Sequence, residues 1–329
     1  MPYPAMPASC DYAAVRQEFA SLLGRDRKCV ISGDIDGILS AVLLSHTMGW
    51  EVVGFYTLND LWVSRRHLAP GAGDPESRLA RSGLVFLDHD IYRSTIESIG
   101  HHLLQWSPDT AIPLHTEGRG SLNPNLLRGI TKKEFGRKYP FGTFHFLLAC
   151  ASAWGLVRDF QPDDQVTTLL LHIDSSFVNA MNYQDNALDW LDWLGGSDAN
   201  SPLNPICRRM LRFTPRVILE QSRNLAGRFK ELGIRPRSQA SVTDPTSIKQ
   251  METLRGLVAW FESETGWHAR FADLGEPNLI RYQMDRRSTN PTRGRFQGVI
   301  ADRPFSYAII GSDPQGLNYN WFEGQGPPR

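Results

Sequence analysis

The chain has 329 residues, and its 35 basic side chains balance its 35 acidic ones to a formal net charge of zero. That balance gives no whole-chain signal for nucleic acid and leaves only local basic patches to consider. Hydrophobic residues make up 41%, enough core for two domains or one large one, and no run of about 18 apolar residues occurs, so no membrane-spanning helix is expected.

The four cysteines, Cys10, Cys29, Cys150 and Cys207, are scattered and form no C-x-x-C pair. This pattern argues against a zinc ribbon or a disulfide scaffold and fits a reducing cytoplasm. Met1 to Ser9 carries neither a charged nor an apolar leader segment, so no signal peptide is expected. No phosphate-binding G-x-x-x-x-G-K-[ST] loop, H-E-x-x-H or G-x-S-x-G motif is present.

Residues 11 to 24 have the spacing of an amphipathic helix, with Val15, Phe19, Leu22 and Leu23 on one face. Lys28 to Ser32 reads as a buried strand. It runs into an acidic turn, Gly33-Asp34-Ile35-Asp36-Gly37, and then a helix from Ile38 to Met48 with Gly49 as its C-cap. Glu51 to Thr57 is a second strand, and the strand-helix-strand order predicts a right-handed βαβ unit. After a loop with Pro70, Gly71, Gly73 and Pro75, a third strand, Leu84 to Leu87, ends at Asp88-His89-Asp90. A short helix over 91 to 98 is expected next. Ile99 to Trp106 carries Gly100-His101-His102. Thr110 to Leu127 has no clear period and contains Asn123-Pro124-Asn125.

Further helices are expected at Phe144 to Val157, Val166 to Ile173 (ending at Asp174), Gln184 to Leu194 and Pro215 to Leu232. Pro236 and Pro245 mark a linker. Beyond it come one helix, Ile248 to Thr265, and short β-like runs at Leu279 to Gln283, Gln297 to Ala301 and Tyr307 to Ile310. The expected organisation is α/β: a parallel-sheet domain with helices on both faces and a helical extension over 1–232, a linker over 233–247, and a small α+β domain over 248–329.

Two carboxylates two residues apart at a strand end, Asp34 and Asp36, suit a pair of divalent ions; a helix N-cap explains them equally well. Asp88 closes another strand and emerges at the same sheet edge if the sheet is parallel, with Asp90 as the competing carboxylate. His101-His102 offers imidazoles for a metal or a phosphate, or one core and one surface histidine. Asp174 lies where a helix macrodipole disfavours it, so either a metal or a solvated helix end accounts for it. The basic stretches Arg208 to Arg237 and Arg281 to Arg295 suit phosphate contacts or solvated faces. Trp190 and Trp193 read as packing residues.

In order, Ser32-Gly33-Asp34-Ile35-Asp36-Gly37, Leu87-Asp88, Gly100-His101-His102, Asn123-Pro124-Asn125 and Asp174 resemble the motifs of the DHH phosphoesterase superfamily. That superfamily includes RecJ-type exonucleases, oligonucleotide-degrading enzymes, cyclic-dinucleotide phosphodiesterases and family II pyrophosphatases. The resemblance covers about residues 25 to 195. It implies a metal-dependent hydrolase, with Asp34, Asp36, Asp88, His101 and Asp174 as ligands of two manganese ions (magnesium, or a single ion, being the alternatives). It further implies catalytic roles for Asp88 and His102, and substrate contacts from His102, Asn123, Asn125 and Arg128. The substrate would be a nucleotide or single-stranded nucleic acid, with no membrane partner. Oligomeric state stays open, a homodimer being one alternative. Two positions depart from the pattern: Ser32 stands where the family supplies a His or Asp ligand, and Gly100 replaces the Asp of an Asp-His-His motif. The Gly-Gly-Gly-His pattern of the family's substrate domain is absent. A catalytically degenerate relative that binds nucleotide, nucleic acid or a partner protein is the alternative reading.

Overall fold

A computed structural model describes residues 8–107, 120–158, 160–211, 223, 225–227, 229–231, 242–274, 278–311 and 315–327. They belong to two compact units. One comprises Arg16–Gly33, Met48–Lys138 and Arg270–Arg329; the other comprises Met1–Val15, Asp34–Thr47 and Tyr139–Ala269. The chain is thus divided differently from the expected split at 233–247, of which 233–241 lie outside the described residues.

The first unit is built on a nine-stranded sheet of order β6-β5-β4-β1-β2-β3-β7-β9-β8. Its strands are β1 (Lys28–Ile31), β2 (Glu51–Tyr56), β3 (Asp60–Ser64), β4 (Val85–Leu87), β5 (Glu97–Ile99), β6 (Ser121–Leu122), β7 (Leu279–Thr289), β8 (Ser306–Ile310) and β9 (Gly316–Phe322). From β6 to β2 every pairing is parallel; from β2 to β8 every pairing is antiparallel. The central strands β1, β2 and β4 are buried almost throughout, as their continuous apolar runs require. Strand β7 alternates exposed and partly covered residues.

The expected α/β class and the β1-helix-β2 connection are present. The helices are α1 (Tyr12–Glu18), α2 (Ile35–Met48), α3 (Pro75–Ser82), α4 (Pro124–Leu127), α5 (Thr143–Ala153), α6 (Asp164–His172), α7 (Ser176–Asn182), α8 (Gln184–Trp193), α9 (Asn204–Met210), α10 (Ile248–Thr265) and α11 (Arg293–Ala301). The expected helix at Pro215 to Leu232 lies mostly outside the described residues. In the helical unit α5 is buried on every side, from Thr143 to Ala151. Trp190 and Trp193 are buried and meet edge to face, as packing residues.

Two expected elements are replaced. Residues 91–98 do not form a helix, because their amides find partners elsewhere: Tyr92 donates to the Phe305 carbonyl at 2.7 Å and Ile91 to Ser98 Oγ at 3.1 Å. Gln297 to Ala301 is not a strand but the end of α11, whose two buried residues, Phe296 and Val299, stand three apart on one helical face. The C-terminal strands do not make a sheet of their own, since β7 pairs along β3.

Strands β2 and β3 approach closely at Gly54, opposite Val63. A Cβ there would lie 2.2 Å from the Trp62 carbonyl oxygen, a backbone contact with nowhere to move. Gly54→Ala is therefore expected to destabilise the fold by about 3 kcal/mol, measured as a shift in the urea midpoint with unchanged slope.

The four cysteines are free and buried. Burial and the nearby Asp11 charge push the Cys10 thiol up to about 12, and burial also holds the Cys29 and Cys150 thiols well above the ordinary value. Their stabilising contribution is intact below the ordinary thiol value of 9.0 and is lost as pH rises toward 12. At pH 8 these three thiols should react with a disulfide reagent only on unfolding; rapid labelling of the native protein would contradict this.

Candidate metal centre

Four of the five parallel strands, β1, β4, β5 and β6, end in one register: Ile31 pairs with Leu87, Leu87 with Ile99, and Ile99 with Leu122. The ladder continues for one more residue. Ser32 N–H donates to the Leu87 carbonyl at 3.2 Å, Asp88 N–H to Ile99 at 2.7 Å, and Gly100 N–H to Leu122 at 3.1 Å. Ser32, Asp88, Gly100 and Asn123 therefore stand in a row at the carboxyl edge of the sheet, where open α/β sheets place their sites. Residues of four of the motifs noticed in the sequence meet here because of backbone register.

Asp88, His101 and His102 each offer a ligand atom, all within 4.8 Å of one another. Asp88 and His101 are almost fully buried. Asp88 Oδ1 lies 3.4 Å from His101 Nδ1, and the two imidazoles are 3.9 Å apart, centroid to centroid. Asp88 has a left-handed backbone, φ 63°. Asp tolerates that region, and non-glycine residues held there cluster at functional sites. Burial pushes the Asp88 carboxyl up; the His101 hydrogen bond and the imidazoles of His101, His102 and His89 outweigh it and hold the group well below the usual carboxylate range. An ionised buried carboxylate flanked by two imidazoles is a donor set suited to manganese, iron or zinc.

Ser32 uses its hydroxyl to donate to Asp88 Oδ2 at 2.7 Å. Where the resembled motif places a ligand, this chain places a side chain that orients the Asp88 carboxylate. His89 points elsewhere: its Nε2 is 2.7 Å from the Tyr56 carbonyl and its ring packs on Tyr56. Burial keeps it below the ordinary histidine value against the pull of Asp88.

Asn123 and Asn125 are fully buried. Asn123 Oδ1 caps α4 by accepting from Asn125 N–H at 2.8 Å, and Asn125 Nδ2 donates to the His101 carbonyl at 2.8 Å. Arg128 closes the same helix and is also buried. Ser121, Asn123 and Asn125 thus build the loop that holds the histidines. Ser121 carried no signal in the sequence beyond its place just before an Asn-Pro-Asn turn.

The other expected ligands lie in the helical unit. Asp34 Oδ1 accepts from Gly37 N–H at 3.1 Å, an N-cap of α2, and Asp34 is in neither carboxylate–imidazole group found among the described residues. Asp36 and Asp174 bring carboxylate oxygens within 4.8 Å of one another. Asp36 also accepts from Thr143 N–H at 2.6 Å and Phe144 N–H at 2.8 Å. These are the first two amides of α5, whose N-cap Gly142 has no side chain to offer them. A Cβ on Gly142 would lie 2.6 Å from Asp36 Oδ2, so glycine makes room for the carboxylate. Asp174 and Ser175 both have left-handed backbones, φ 51° and 56°, in a short turn between α6 and α7. Its position ahead of α7 offsets the unfavourable dipole of α6.

Of the basic stretches, Arg281 is paired with Asp60 at 2.8 Å, Arg287 with Asp285 at 2.8 Å, and Arg209 with Asp164 at 2.5 Å. Arg212, Arg216, Arg228, Arg235 and Arg237 lie outside the described residues. The chain matches no family model and no curated protein.

Asp36 holds two otherwise orphaned amides while facing a second carboxylate. In metal-free protein, Asp36→Ala should lower the unfolding free energy by about 3 kcal/mol, the cost of two buried unsatisfied N–H groups. A gain in stability would show that relief of repulsion with Asp174 dominates. Chemical denaturation in the presence of a chelator decides between them.

Proposed function

We propose that this protein is a divalent-metal-dependent phosphoesterase acting on nucleotides or single-stranded nucleic acid, as the DHH resemblance implies. One observation carries the reading: strand register brings together Asp88, His101 and His102, residues from two separate sequence motifs, as a group that could hold a metal ion, Asp88 and His101 buried and His102 partly so. Among the described residues no helix is long and apolar enough to cross a membrane.

The donor set fits a manganese ion, magnesium being served less well by imidazole. Asp88 and His101 would hold it, with Ser32 fixing the second oxygen of Asp88. A bound divalent cation supplies Lewis-acid polarisation of a phosphoryl oxygen and lowers the pKa of water. His102, next to His101, would meet the phosphate and neutralise charge developing on its oxygens. In the helical unit Asp36 and Asp174 form a second candidate carboxylate pair, so both a one-ion and a two-ion protein are consistent with the ligands available.

Support for a nucleic-acid substrate comes from the sheet-bearing unit. Gln105 bridges to Thr131, which sets Lys132 Nζ 5.7 Å from the Trp106 ring and 5.9 Å from Phe135. Lys138 lies 5.8 Å from the same Phe135. Trp106, four residues after His102, and the cations and aromatic brought beside it from residues 132–138 suit bases and phosphates together.

A second reading rests on Asp34 and Asp36. Both are engaged in helix capping, and among the described residues Asp34 belongs to neither carboxylate–imidazole group; a centre short of that carboxylate suits a protein that binds metal and oligonucleotide without turnover.

The test is metal content by elemental analysis, followed by assay of the manganese-loaded protein on short single-stranded oligonucleotides, cyclic dinucleotides and pyrophosphate. Hydrolysis of a nucleotide substrate is expected, falling at least about a hundredfold in Asp88→Ala. Binding without hydrolysis selects the second reading. A folded protein that neither holds manganese nor cleaves any of the three overturns the proposal.

A further inference from the structure

Gly100 occupies the place in the edge row between Asp88 and Asn123, yet its backbone is not left-handed and requires no glycine on conformational grounds. The requirement is steric. A Cβ on Gly100 would lie 2.8 Å from both Cγ and Oδ2 of Asp90, and 2.9 Å from the His89 carbonyl carbon. The space that a side chain at 100 would enter is filled by the carboxylate of Asp90.

That carboxylate is buried, 3% exposed, and every partner is a donor. Oδ2 accepts from His102 N–H at 2.8 Å and Leu103 N–H at 3.0 Å. Oδ1 accepts from Ser121 Oγ at 2.5 Å and Asn123 Nδ2 at 2.9 Å. Asn123 in turn fixes Asn125, which holds the His101 carbonyl. The peptide between His101 and His102 is therefore held at both its groups, the carbonyl by Asn125 and the N–H by Asp90, and Asp90 also holds the next peptide through Leu103 N–H. Because Asp90 follows Asp88 by two residues, the same loop that supplies the ligand carboxylate also grips the histidine loop.

We propose that Asp90 is the positioning residue of the histidine pair: a carboxylate supplied by the Asp88 loop does from position 90 what a side chain at position 100 would do from within the histidine loop, and Gly100 is the cavity it needs. Asp90 acts through the backbone of His102 and Leu103 and takes no part as a ligand. Loss of such a supporting partner weakens metal binding by about 10- to 100-fold. The affinity consequence rests on the metal reading above; the effect on loop order does not.

The experiment compares full-length wild type with Asp90→Asn, Asp90→Gly, Gly100→Asp and the exchange D90G/G100D. It measures amide hydrogen exchange at His102 and Leu103 in metal-free protein, and manganese affinity by calorimetry. Asparagine keeps the size but turns an NH2 toward donors. Asp90→Asn should retain cooperative melting, raise exchange at the two amides about tenfold, and weaken manganese within the range just given. Gly100→Asp should behave similarly by expelling Asp90. The exchange should recover part of both losses relative to either single variant, the His89 carbonyl yielding by a few tenths of an ångström.

Exchange rates and affinity within about twofold of wild type in folded Asp90→Asn would overturn the proposal. So would a double variant no better than the worse single. If Asp90→Asn does not melt cooperatively, Ser121→Ala removes one of the four donors and should raise exchange at the same amides; no change there also overturns it. Should wild type bind no manganese, the metal reading fails while the exchange measurement still decides the role of Asp90.

Discussion

Everything at the candidate centre depends on a backbone constraint. Four parallel strands end in the same register, and the amides of Ser32, Asp88 and Gly100 are still bonded to the neighbouring strand's last carbonyl. Ladder bonds fix the positions of Ser32, Asp88 and Gly100, and of Leu122 just before Asn123, before any side chain acts. Side-chain chemistry then works across fixed, short spacings. A serine hydroxyl suffices to orient Asp88, and a carboxylate two residues along can cross to the next loop. A slip of one residue in any strand would turn these side chains to the other face.

The helical unit handles a different difficulty. Helix α5 is apolar on all sides and buries its own N-terminus, so its first amides need partners that its sequence does not contain. Asp36 supplies both. This gives the acidic turn a structural duty whether or not it also holds an ion, because each carboxylate oxygen has a second lone pair available. Ligation and capping are compatible uses of one side chain; their coexistence makes an Asp-x-Asp turn by itself a poor discriminator between the two.

The sequence was most legible where the core is densest. Apolar runs such as Lys28 to Ile31 and Val85 to Leu87 have no alternative to a buried strand, and parallel pairing then predicts that Asp88 and the histidine pair share an edge. Legibility failed where the decisive partner is distant. The strand Asp60–Ser64 and the pairing of Leu279–Thr289 along it depend on contacts across the chain, so the C-terminal strands read as a separate small domain. Residues 91–98 have helical spacing but spend their amides on Ser98 and Phe305. At the centre, the departure at Gly100 reads as a loss in sequence and becomes intelligible only when Asp90 is seen filling the space. No residue pattern announces which of two nearby carboxylates a glycine has been cleared for.

Strand β3 sits between two neighbours of very different origin. Its partner β2 is a tight turn away, while its other partner, β7, arrives roughly two hundred residues later in the chain. A growing or refolding chain can therefore form the parallel half and the β2–β3 hairpin first, leaving one edge of β3, with Trp62 and Val63, unpaired until the C-terminal segment returns. Closing so long a loop is slow, and an open apolar edge invites pairing with another copy. The segment Leu279–Thr289 is thereby the cover on which protection of this edge from pairing with another copy depends.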